Sequence, residues 1–287
     1  MSDADTKARG VKRVLRAMDT SDGAGVSLKR SIGSPQLDML DPFLMLDSIS
    51  TDNADDYIAG FPEHPHRGFE TVTYMVEGAM GHKDSIGSEG VLRSGGVQWM
   101  TAGSGIIHSE TPKQENGLLQ GFQLWINLPA KDKMIDPRYQ NIEAPDVPEI
   151  AVSDGVDLRL VAGEMFGKTG PINGISTDPV FVDVKLDAGA EVSIPMPEGH
   201  AGVVYVFIGD AVIAGKDVPT HHLAVLRNGN SVTLKGGEDG GRMLVIAARP
   251  LHEQVVRYGP FVMSSKQELM QAFDDFQNGR FVRKAAS

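Results

Sequence analysis

Two pairs of metal-binding side chains recur in this chain with the same spacing: His64 and His66, then His108 and Glu110. Residues two apart on an extended strand point to one face. Each pair can therefore aim at one point. Three imidazoles and one carboxylate, delivered by two strands, would hold a metal and leave coordination positions for a substrate. A lone His-x-His, or a lone His-x-Glu, is more often a pair of ordinary polar residues. Two such pairs around one hairpin make a metal site the preferred reading. The chain contains no cysteine, so thiolate zinc sites, iron–sulfur clusters and thiol nucleophiles are excluded.

The segment between the pairs must bring them together. Thr71 to Gly78 reads as a strand, and a glycine-rich return leads through Trp99–Ala102 to the tight Gly103-Ser104-Gly105 turn and Ile106-Ile107-His108. Antiparallel strands would return residue 108 beside residue 66. Without a bulge, His64 and His66 share a face with Val72, Tyr74 and Val76; a bulge at Gly68 would break that parity. His82 falls in a hairpin tip and reads as a surface residue. Trp125, in the alternating run Phe122–Leu128, reads as core.

These same residues carry a family likeness. The runs Phe61 to Val72 (FPEHPHRGFETV) and Gln98 to Glu110 (QWMTAGSGIIHSE) resemble the metal-binding half of the pirins, which are bicupin proteins. The resemblance extends to Arg30-Ser31-Ile32-Gly33, Asp41-Pro42-Phe43-Leu44 and Gly259-Pro260-Phe261-Val262-Met263, nearly the whole chain. It implies two tandem cupin (jelly-roll β-barrel) domains, one Fe(II)-type site in the first, and a group that includes quercetin 2,3-dioxygenases. A generic cupin pattern would use Glu70 as the carboxylate ligand; the pirin-like pattern uses Glu110, the assignment followed here. The implied activity is a quercetin 2,3-dioxygenase-type oxidoreductase that opens a flavonol with O2 and releases CO. Glu110 would be both ligand and acceptor of the flavonol hydroxyl proton. The resemblance also implies a rival role: a metal-dependent, redox-sensing partner of a transcription factor or metabolic enzyme. A Lewis-acid isomerase is a third reading. The donor set by itself accepts Fe, Mn, Ni, Cu or Zn as one divalent metal per chain.

The rest of the chain fits an all-β protein with a C-terminal α-helix. Its 287 residues suggest two domains. Its 33 glycines exceed the usual share of roughly 7% and favour short strands with tight turns. Net charge is −11, which disfavours direct nucleic-acid binding. No apolar run approaches membrane-spanning length, and Met1 to Thr20 lacks the apolar core of a signal peptide, so a cytoplasmic protein without membrane partners is expected. The expected division is an N-terminal metal-binding cupin over 1–130, a proline-rich linker over 131–150, and a C-terminal cupin over 151–287 that ends in a helix over 265–278. Strands are expected from Val11 to about Ala17, over Val26–Ile32, Phe181–Leu186 and Glu191–Ile194, and over Val203–Ile208. Aligning Gly78 with Gly209, an offset of 131, puts Pro195 and Pro197 where the first half has His64 and His66. His200, His221, His222 and His252 remain in the second half without that pattern, so its barrel is expected to lack metal ligands. Ser265-Lys266-Gln267-Glu268 is a capping box, with Leu269, Met270, Phe273 and Phe276 expected to face a barrel and Gly279 to stop the helix.

Overall fold

The computed structural model describes residues 7–114 and 116–283. They form two compact units, built almost entirely of antiparallel strands. This is the two-barrel cupin architecture. Among the described residues no helix is long and apolar enough to cross a membrane.

The first unit comprises Asp19–Met39, Phe43–Ala144 and the chain from Leu251 onward. Its seven-stranded sheet runs Arg138–Ile142, Val97–Thr101, Phe69–Glu77, Leu119–Asn127, Phe43–Thr51, Val26–Ile32, Met18–Asp22. Its four-stranded sheet runs Phe61–His66, Ile106–Pro112, Ala79–Asp84, Glu89–Arg93. The chain passes from one sheet to the other at Gly68, which takes φ +86, the left-handed region that glycine tolerates. A Cβ there would lie 2.0 Å from the Val262 carbonyl oxygen. This corner inverts the expected parity. Thr73 and Met75 line the interior cavity beside His64 and His66, whereas Val72, Tyr74 and Val76 do not.

The second unit comprises the described residues up to Met18, Leu40–Pro42 and Pro145–Pro250. Its nine-stranded sheet encloses a cluster of buried Val, Leu, Ile and Met side chains, among them Val184, Val204, Val206, Leu234 and Val245.

The boundaries 1–130, 131–150 and 151–287 differ from these units because the ends of the chain cross over. Val11–Arg16 pairs with His222–Leu226, and buried Arg9 donates to the carbonyls of His200 (2.9 Å) and Pro197 (2.7 Å). The helix Lys266–Gln277 belongs to the first unit, where Asp275 accepts from Arg67 Nη1 at 2.8 Å. The stretch read as linker carries Arg138–Ile142, which pairs with Val97–Thr101. It also carries Lys133, whose buried amine donates to Gly68 O (2.8 Å), Asn127 Oδ1 (2.6 Å) and Val262 O (3.1 Å). Burial lowers that amine to about 8, against pulls from Glu253 and Glu268.

The helix begins as its sequence dictates: Ser265 Oγ accepts from Glu268 N at 3.2 Å. The return bond reaches one residue further back, from Ser264 N to Glu268 Oε2 at 3.0 Å. Leu269 and Phe273 pack against Phe261, Ala272 and Phe281. Phe276, though 41% exposed, sets its ring edge-on to Phe281 at 5.5 Å and Phe261 at 6.1 Å, whereas Met270 is 72% exposed and departs from the expected stripe.

Candidate metal centre

Strand pairing sets the site. Phe61–His66 lies at the edge of the four-stranded sheet, the position where a strand tolerates prolines such as Pro62 and Pro65. It pairs antiparallel with Ile106–Pro112, placing His108 opposite His64 and Ile106 opposite His66. Residues directly opposite one another share a face. One ring nitrogen from each of His64, His66 and His108 therefore falls within 4.8 Å of the others. His64 Nε2 and His108 Nε2 are 3.0 Å apart.

The donor chemistry of this cluster fits a divalent ion. His64 Nδ1 lies 2.8 Å from the Pro62 carbonyl, which fixes the proton on Nδ1 and turns the Nε2 lone pair inward. Both ring nitrogens of His66, and Nδ1 of His108, are buried without a hydrogen-bond partner. Burial, reinforced by His108 and His64, pushes His66 well below the ordinary imidazole range. Burial, then His64 and His82, lowers His108 to about 3. Burial thus favours the neutral form of His66 and His108, the form that coordination requires.

Glu110 lies two residues beyond His108, past a register shift that sets it opposite Phe61. Its carboxylate is not part of the three-histidine cluster. Instead the Thr73 hydroxyl lies 3.2 Å from Glu110 Oε1 and 2.7 Å from Gln123 Oε1. Burial raises the Glu110 pKa, while His64 and Thr73 pull it down. Glu70, the alternative carboxylate, has no place in the cluster. It alternates with Thr73 along its strand and accepts from Thr101 Oγ1 at 2.7 Å. Burial raises it to about 7, with Thr101 and Trp99 pulling back.

Two other residues differ from expectation. His82 is 8% exposed, not a surface residue. It stands opposite Glu110 on the neighbouring strand and stacks on Tyr139 at 6.0 Å. Trp125 is not simply core: it lines the cavity, 5.2 Å from the His66 ring and 4.5 Å from Phe69.

His64 and His66 open onto a cavity of about 810 Å³, within the range of small-molecule sites. Apolar side chains, including Met45, Phe61, Met75 and Trp125, make up much of its wall; Thr73, Gln123, Asp47 and Arg30 are polar exceptions. Behind the His-x-His strand, buried Arg67 donates from Nε to Ser104 O at 2.6 Å, and from Nη2 to Phe281 O at 3.2 Å. Arg67 adjoins His66 in sequence and could have been suspected. Its partners Asp275 and Phe281, more than 200 residues on, left no local signal.

Comparison with known proteins agrees with this geometry. Residues 25–126 match the Pirin family model, and residues 181–282 match the Pirin C-terminal cupin domain. A pirin-like protein of Caulobacter vibrioides is 47% identical over 274 residues, covering 95% of this chain and 99% of that protein. Human pirin is 40% identical over 268 residues, covering 91% and 90%. The crystal structure of a quercetin 2,3-dioxygenase from Acinetobacter baumannii superposes with a TM-score of 0.88 at 34% identity, covering 96% of this chain and 98% of that one. With both halves matched and relatives aligned over nearly its full length, the chain belongs to the pirin family.

Proposed function

We propose that this pirin-family chain is a mononuclear metal-dependent dioxygenase that cleaves a flavonol such as quercetin with O2 and releases CO. The observation that carries the reading is a cluster of three imidazoles, with unpartnered buried nitrogens on His66 and His108, beside a large, mainly apolar cavity. The likeness to the A. baumannii quercetin 2,3-dioxygenase supports it. In this reading His64, His66, His108 and Glu110 hold one divalent ion, Fe(II) by preference. Such an ion would supply Lewis-acid and redox chemistry at the mouth of the cavity. The residues do the rest. Glu110 takes the flavonol hydroxyl proton, its carboxylate steadied by the Thr73 hydroxyl. Phe61, Met45, Met75 and Trp125 cover the faces of the ring system and exclude water.

The test is CO in the headspace over Fe(II)-loaded protein and quercetin. Glu110→Gln should retain metal, more weakly, and lose about 100- to 10,000-fold in turnover per bound metal. Turnover per metal equal to the parent's removes the proton-transfer role. A parent that yields no CO with Fe, Mn, Ni, Cu or Zn contradicts the dioxygenase reading and favours a metal-dependent binding partner.

A further inference from the structure

A row of polar side chains crosses the inner face of the seven-stranded sheet. Arg30 pairs with Asp47, Asp47 with Gln123, and Gln123 with Thr73. Four neighbouring strands thus contribute one polar residue each, in register. All four line the cavity, so register and cavity agree on their direction. The flanking rows carry no charge: Ile49, Gly121 and Met75 on one side, Met45, Trp125 and Thr71 on the other. One end of the row touches Glu110 through Thr73. Strands stand about 4.8 Å apart, so the three steps from Arg30 to Thr73 span about 14 Å.

Two donors in this row have no partner among the described residues. Arg30 binds Asp47 through Nε (2.8 Å) and Nη2 (2.7 Å) and Asp22 through Nη2 (2.8 Å), which leaves Nη1 free. The single Thr73 proton serves Glu110 when the Gln123 amide donates to Thr73 Oγ1, which leaves the second Nε2 proton of Gln123 free. The cations of the lining are nonetheless neutralised. Arg30 lies between two carboxylates, and Arg257 donates to Asp38 and to Leu44 O. Nothing in the wall offers an unpaired positive charge to a carboxylate.

We propose that this row is the orienting edge of the site, and that it selects a flat, uncharged polyphenol with oxygen acceptors along one edge. The proposal rests on the flavonol reading above and extends it to specificity-determining residues. The chelating oxygens lie at the Glu110 end. Gln123 Nε2 donates to a ring oxygen near the middle. Arg30 Nη1 donates to a hydroxyl oxygen on the ring remote from the chelating end. Charged acids are disfavoured because Asp22, Asp47, Glu63 and Glu110 all face the same cavity.

The test uses the full chain loaded with Zn(II), so that binding is read without turnover. The probes are quercetin and galangin, the flavonol whose remote ring carries no hydroxyl, and dissociation constants come from quenching of tryptophan fluorescence. The parent should bind quercetin about tenfold tighter than galangin, as a hydrogen bond to a charged group allows. Arg30→Lys keeps a cation beside Asp47 but loses the Nη1 donor; the ratio should fall to about one, with galangin affinity within about twofold of the parent's. Gln123→Leu should weaken both probes by a similar factor. A parent ratio near one, an Arg30→Lys ratio equal to the parent's, or binding of neither probe overturns the proposal. Turnover of the Fe(II)-loaded chain separates the two readings. Discrimination without CO release supports the row and overturns the dioxygenase, whereas CO release without discrimination overturns the row alone.

Discussion

The two units use the same kind of strand around different interiors. In the first, Thr73 and Met75 of Phe69–Glu77 face a cavity that also holds His64, His66 and Glu110. The offset of 131 residues sets Val204 and Val206 of Ala201–Ile213 at the matching positions, where both join a closed apolar cluster. Pro195 and Pro197 stand where the first unit has His64 and His66. A barrel of this type closes readily when every inward position is apolar; chemistry requires that a few positions be left polar and uncovered. The first unit accepts that cost at the histidine cluster and along the row from Arg30 to Thr73.

The largest effect should come from the histidines. His66→Ala should weaken metal binding by more than the ~10- to 100-fold typical of an outer-shell partner. His222→Ala in the second unit should leave affinity unchanged. Equal losses in a calorimetric metal titration would erase the distinction between the units.

Next is Glu70, a buried carboxylate of the first unit that lies away from the histidine cluster. Its folded-state pKa of about 7 exceeds the ordinary 4.5, so the folded chain takes up a proton between those values. The stability this gives is full below pH 4.5 and is lost as pH rises through 7, about 3 kcal/mol in all. Glu70→Gln should match the parent near pH 4.5 and exceed it by a similar amount at pH 8. A constant difference across that window in urea melts would show that Glu70 does not titrate there.

A smaller, reciprocal pair exchanges the matching residues. Val204→Thr buries a hydroxyl among apolar side chains and should cost about 1–3 kcal/mol. Thr73→Val removes the hydrogen bonds to Glu110 and Gln123 and should cost only about 1 kcal/mol of stability. Metal affinity should fall in Thr73→Val alone. Loss in both variants would mean that the affinity change reports stability, not orientation of Glu110.

The histidine cluster was legible because it depends on short-range pattern. The i, i+2 spacing and one hairpin suffice to place His108 opposite His64. Strands such as Val26–Ile32 were legible from the same alternation and turn signals. What could not be read depends on distant partners. The crossing of the chain ends rests on pairings such as Val11 with Leu226. Lys133 sits in a proline-rich stretch, yet its three acceptors come from positions 68, 127 and 262. The Gly68 corner reverses the face of the strand that follows, and only the approach of Val262 shows why a glycine stands there.

Metal removal probes the same contrast through stability. An ion that binds only the folded chain stabilises it by about 2.7 kcal/mol at a free concentration one hundred times its Kd. Stripping it with a chelator should lower the melting temperature, and His66→Ala should melt like the stripped parent. A stripped parent with an unmoved melting curve would uncouple the site from folding.

The most direct measurement is the metal-to-protein ratio of the full chain after saturation with Fe(II) and removal of loosely held ion, beside His108→Ala treated identically. The account predicts one metal per parent chain and a content near zero in His108→Ala. Two tightly held metals per chain, or one that survives in His108→Ala, would contradict it.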